Sequence, residues 1–158
     1  MTINEIVKLR NSSIDYFDSI MVAKKAVLTY RHFPKSKEDN VQSITVEYTF
    51  KDSLNTLNSP LTLIFIDSNL SLKSKTLIYR IFDFKNAEAF YKSLEINKYE
   101  TDRVEIKDDI KTKYFFSKTN RDIIISMSYN KKLKPALKKG AIFIFYDLHA
   151  YQSLFSPI

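Results

Sequence analysis

One glycine, Gly140, stands among 158 residues, where a chain of this length ordinarily carries about eleven at roughly 7% usage. Only a residue without Cβ adopts positive φ cheaply or lets a backbone approach a phosphate closely. The phosphate loops GxGxxG and GxxxxGKS/T and the nucleophile elbow GxSxG each need more than one glycine. Nucleotide binding through a familiar glycine loop is therefore excluded. Cysteine is absent, which removes disulfides, thiolate nucleophiles, iron–sulfur ligation and cysteine zinc sites. The only histidines are His32 and His149, too few for a three-histidine metal site, and HExxH does not occur.

The remaining composition describes a folded domain, with 44% hydrophobic residues and 27% charged. A chain of this size buries enough surface to build one core without staples, so residues 1–158 are expected to form a single globular domain. The opening MTINEIVKLR lacks the basic region and apolar run of a cleavable signal. The longest apolar runs, at 61–66 and 141–146, are far short of a membrane span. A cytoplasmic location is expected, with delivery by a signal-less route as the other option. Net charge is +7, and twenty of the 25 basic residues are lysine. Lys, Asn, Ile, Phe and Tyr share A/T-rich codons, so base composition alone is sufficient to produce much of this profile. The lysine excess is thus a weak pointer to nucleic acid.

Periodicity predicts the elements. Ile3, Ile6 and Val7 recur at helical spacing, and a second helix is expected from about residue 13, capped by Ser12, with Ile14, Phe17 and Met21 on one face. Residues 26–33 read as a strand, and Pro34 opens a polar loop. Ile44, Val46, Tyr48 and Phe50 alternate with polar residues, the period-two pattern of a strand with one wet face. Runs 61–66 and 76–82 are apolar on both sides, which predicts central strands covered on each face. Asp83 opens a helix bearing Phe84, Ala87, Phe90 (or Tyr91) and Leu94 on one side and a Glu88–Lys92 pair. Strands are expected at 104–110, 113–119 and 122–129, the last two as a hairpin turning at Asn120–Arg121. A helical turn from Pro135 stops at Gly140, and 141–148 is a buried strand. The fold class is α+β, with a mixed or mostly antiparallel sheet of about seven strands and three or four helices. IFDFKNAEAF (81–90) and FYDLHAYQSL (145–154) echo one another, although two matches this short do not establish a duplication.

Four constellations bear on function. Lys131, Lys132, Lys134, Lys138 and Lys139 form the strongest charge run. With Tyr129 and Tyr151 nearby they would make a contact patch for an acidic protein or for phosphates with stacking aromatics; a solvated loop is the plainer alternative. Asp67, Asp83 and Asp147 each follow an apolar strand and would converge at one sheet edge if those strands were parallel neighbours, as in a ligand or metal site. Capping and turn roles explain the same positions. Glu105, Asp108 and Asp109 alternate with Lys107, Lys111 and Lys113, the pattern of a solvated rim. His32 and His149 have no nucleophile to serve. Twelve Phe and ten Tyr make Tyr30, Tyr48, Tyr79, Tyr91, Tyr99, Tyr114 and Tyr129 candidates for an exposed aromatic surface, with core packing as the alternative.

No motif is specific enough to name a family. The leading expectation is a non-enzymatic protein acting through a protein–protein interface, as an inhibitor, immunity-type protein or assembly component, with no cofactor. Another protein is the expected partner, and a second copy of the chain is a candidate too. The alternatives are nucleic-acid binding through 131–139, and a small-ligand or metal-dependent enzyme at a sheet edge.

Overall fold

The computed structural model describes residues 1–33, 43–50, 61–68, 75–119, 121–133, 137, 139–148 and 151–152. The loop expected after Pro34, the turn expected at Pro135 and the residues between 68 and 75 lie outside that set. The fold is α+β. Two helices, α1 (Ile3–Arg10) and α2 (Ile14–Ala23), lead into strands β1 (Val27–His32), β2 (Ser43–Thr49), β3 (Leu61–Ser68) and β4 (Lys75–Ile81). Helix α3 (Phe84–Ile96) then leads into β5 (Tyr99–Lys107), β6 (Ile110–Ser117), β7 (Ile123–Asn130) and β8 (Ala141–Asp147). All eight strands join one sheet in the order β1-β2-β3-β4-β8-β7-β6-β5, and every pairing is antiparallel.

Side-chain chemistry explains the elements. Thr2 and Glu5 form a reciprocal capping box at the start of α1. Ser13, not Ser12, caps α2; the Ser12 hydroxyl instead donates to the Leu9 carbonyl as α1 ends. Asp83 caps α3 by accepting from the Asn86 amide at 2.8 Å. The expected i,i+4 pair Glu88–Lys92 is present at 3.4 Å.

The strand order is palindromic, and the register makes the symmetry explicit. Tyr79 lies directly opposite Phe143, 64 positions on in sequence. The same order sets β4 beside β8 at the centre and puts β1 and β5 at the two edges. The echo of 81–83 in 145–147 has the same 64-residue offset, so the echoed residues occupy equivalent places. The links agree as well. Lys25 (φ 58°) ends the turn from α2 to β1, and Lys98 (φ 59°) ends the turn from α3 to β5. In both strands the register shifts between the third and fifth residues after that lysine. Among the described residues the chain thus runs through a helix and four strands twice, with α1 ahead of the first.

The core lies on one face. Val46, Leu77, Phe145, Ile125 and Phe115 form a continuous row across the sheet beneath Ile3, Ile6, Phe17, Met21, Ala87, Phe90 and Leu94 of the helices. Phe90 packs edge-on against Tyr79, Phe143 and Phe145, with ring centroids 5.2, 4.7 and 6.5 Å away. The expectation that central strands are covered on both faces holds in part: on the face away from the helices Ile64, Ile124 and Ser126 are buried, but β4 is not closed there. In β4, Leu77, Tyr79 and Ile81 are buried, while Thr76, Ile78 and Arg80 are only half-buried. Antiparallel neighbours connect by hairpins and need no crossover helix on the second face.

Candidate functional site

The two equivalent edge strands differ in chemistry. In β1 the side chains from Leu28 to Arg31 are exposed, and among the described residues no strand pairs with its outer side. Leu28 is 43% exposed and Tyr30 53%, and Phe33, just beyond the strand, is 44% exposed. Leu28 lies opposite Tyr48 on the helix-bearing face, and Tyr30 lies opposite Glu47 on the other, so the edge offers apolar groups on both sides. Its one charge, Arg31, is paired with Asp18 of α2, which also accepts from the Tyr48 hydroxyl at 2.9 Å. At the bulge the Thr29 hydroxyl turns back to Glu47, donating at 3.2 and 3.3 Å.

Strand β5 carries Glu100, Asp102, Arg103, Glu105 and Lys107 among nine residues. Arg103 and Glu105 pair at 2.8 Å, and Glu105 also accepts from the Tyr114 hydroxyl at 3.1 Å. Burial raises the Tyr114 phenol, and that carboxylate raises it further. Charges along an edge oppose pairing with another chain. The sequence reading began this strand at 104 and ran it to 110. The chain in fact turns at Asp108 (φ 53°) and Asp109, and pairing begins at Tyr99. The Asp–Asp dipeptide is turn chemistry, and with the alternation from Tyr99 onward it held the missed signal.

The structure describes part of the basic segment. Lys131 and Lys132 follow β7, and Lys139 precedes β8 at the same end of the sheet; all three are exposed. Lys132 pairs with Asp109 at 2.8 Å. Tyr129 is half-buried against the core on the helix-bearing face. Tyr151 packs on Tyr114 across the opposite face, 5.4 Å between ring centroids, and donates to Asp102 at 2.8 Å. Burial, then the Asp102 carboxylate, push its phenol up to about 12. Lys134 and Lys138 lie outside the described residues.

The three aspartates do not converge. With β4 and β8 antiparallel, Asp83 and Asp147 mark opposite ends of the sheet. Asp83 caps α3, but Asp147 has a role that capping does not describe. It pairs with the guanidinium of buried Arg10 and accepts from the Lys75 amide at 3.2 Å, while Arg10 Nε donates to the Lys75 carbonyl at 3.0 Å. Asp67 pairs with Lys75 in register, next to Asp147's end. Among the described residues no group of three His, Asp or Glu side chains is placed to hold a metal. His32 is half-buried opposite Thr45, and His149 lies outside the described set. Of the seven tyrosines considered for an exposed surface, Tyr30 alone is exposed; Tyr48, Tyr79, Tyr99 and Tyr114 are buried, and Tyr91 and Tyr129 are half-buried. No described helix is long and apolar enough to cross a membrane.

No family model, curated protein or solved structure matches this chain.

Proposed function

We propose that the chain is a non-enzymatic protein-binding domain that takes an extended segment of its partner as a ninth strand along β1. The observation that carries this reading is the contrast between two edges with the same backbone plan. One is charged in five of nine residues; the other presents Leu28 and Tyr30 beside a row of backbone groups, with its single charge internally paired. In strand addition, main-chain hydrogen bonds supply affinity, and alternate side chains on the two faces supply selectivity. The exposed Tyr30 and Phe33 rings are suitable anchors, since aromatic groups dominate interface hot spots. An inhibitor, an immunity-type protein or an assembly component would all work this way.

The test is capture from a native lysate with three proteins: the wild type, L28K/Y30K, and K131A/K132A/K139A. The expected result is one stoichiometric protein held by the wild type and the triple variant and lost by L28K/Y30K. Capture that survives L28K/Y30K overturns the β1 assignment. Recovery of nucleic acid alone, weakened by salt and by the triple variant, overturns protein binding and favours the basic segment.

A further inference from the structure

Between the start of α1 and the exposed side of α3 lies a slot of about 300 Å³, at the lower end of the range for small-molecule sites. Its apolar walls include Ile3, Ile81 and Phe90, and Asn86, Ser93 and Asn97 supply polar rim groups. Tyr79 also lines it. This tyrosine is 3% exposed, and its hydroxyl makes no hydrogen bond to any described residue. The hydroxyl is not among the buried atoms left without a partner, so it opens to solvent at the slot and offers a free donor there.

Packing does not require that hydroxyl. The residue directly opposite Tyr79 on β8 is Phe143, fully buried on the same face and touching the same Phe90 ring. The site thus needs an aromatic ring, and the first unit adds a donor that the second does without. Burial, followed by the fields of Asp83 and Glu5, pushes the Tyr79 phenol up to about 12, so it remains a donor at physiological pH. Met1 and Thr2 complete the described lining, and no charged side chain is among it, which favours an uncharged ligand.

We propose that this slot binds a small uncharged amphiphile whose carbonyl-type oxygen accepts the Tyr79 hydroxyl and whose apolar body lies against Ile3, Ile81 and Phe90. The site is distinct from the β1 edge, and neither assignment depends on the other.

The probe is N-methylbenzamide, neutral and carrying one carbonyl, titrated into the ¹⁵N-labelled chain, with benzoate as the charged counterpart. Saturable shifts centred on the amides of Tyr79, Phe90, Ser93 and Asn97 are expected, with benzoate binding more weakly. Tyr79→Phe should fold with unchanged or slightly higher stability, following the Phe143 precedent, and bind the amide about two- to tenfold more weakly. Ala89→Leu, at the rim of the slot, should weaken binding while leaving Tyr79 in place. The proposal is overturned by shifts that do not saturate or that centre elsewhere, by equal affinity in Tyr79→Phe, or by benzoate binding as tightly as the amide.

Discussion

Strands β1 and β5 occupy equivalent positions in the two units, follow lysines with the same left-handed turn, and carry register shifts at the same distance from those lysines. Among the described residues, each is the last strand at its side of the sheet, where backbone donors and acceptors lack a ladder partner. The side chains answer that lack differently. β5 alternates Val104 and Ile106 with charges of both signs, whereas β1 keeps one charge and ties it to α2. Because the backbone plan is similar, the difference between the two edges lies in their side chains.

The largest expected effect tests the seam on which that equivalence depends. Gly140 adopts φ +84°, and a Cβ there would sit 1.8 Å from the Ile81 carbonyl oxygen, a backbone atom that cannot swing aside. Gly140→Ala should therefore cost about 4 kcal/mol or more, because strained φ and a backbone clash act together. Urea unfolding measures this directly, and a loss under about 1 kcal/mol would mean that the β4–β8 junction is built differently.

The equivalent aspartates offer a finer comparison. Asp83 and Asp147 are related by the 64-residue offset, yet the first caps a helix and the second neutralises a buried arginine. Asp83→Ala should cost about 1 kcal/mol, the usual value of a cap. Asp147→Ala should cost about 2 kcal/mol, since it strands the Arg10 guanidinium while its own carboxylate is 31% exposed and partly screened. Equal losses in thermal unfolding would count against the assigned role of Arg10.

Stripping charge from β5 attacks the edge comparison itself. Glu100 and Lys107 are exposed, and Glu100's ion pair with Lys118 is long, at 3.6 Å. E100T/K107T should leave stability within about 0.5 kcal/mol, yet raise self-association at high concentration, as measured by sedimentation. If the variant remains as monodisperse as the wild type, charge is not what keeps β5 unpaired.

Much of this was legible in the amino-acid pattern. The period-two run at 43–50, the apolar strands, the Asp83 cap and the Glu88–Lys92 pair all follow from local rules, and each is present. What failed depended on distant partners. Apolar residues on both faces of β4 reflect a central place in the sheet, but not which face the helices cover; that is decided by hairpin topology. Asp147 read as a cap because its neighbours are helix-like, while its actual partner, Arg10, is 137 positions away. The β1 edge was invisible for the same reason. Val27–His32 has the composition of any strand, and only the sheet order shows that its outer side lacks a described neighbour. Likewise, Tyr79 becomes unusual only beside Phe143.

The smallest expected effect concerns the helix that only the first unit possesses. Glu5 accepts from the Thr2 amide at 2.7 Å and meets Lys24 of the α2 cap at 3.1 Å. The Thr2 hydrogen bond chiefly, and Lys24 next, hold its carboxyl below the ordinary value of 4.5. A depressed carboxylate contributes stability that is fully present above its unfolded value and is lost as pH falls through the folded one. Acidification below about pH 4.5 should therefore loosen the start of α1, seen as faster amide exchange at Glu5 and Ile6, with no change between pH 6 and 8. Glu5→Gln should remove most of that dependence while retaining the hydrogen bond to Thr2. Because the Glu5 side chain is 43% exposed and its charge partly screened, the shift in global stability will be slight. Exchange at the start of α3, capped by Asp83 instead, should not follow the Glu5 titration, and if both helix starts loosen together in Glu5→Gln the effect belongs to the whole sheet rather than to α1.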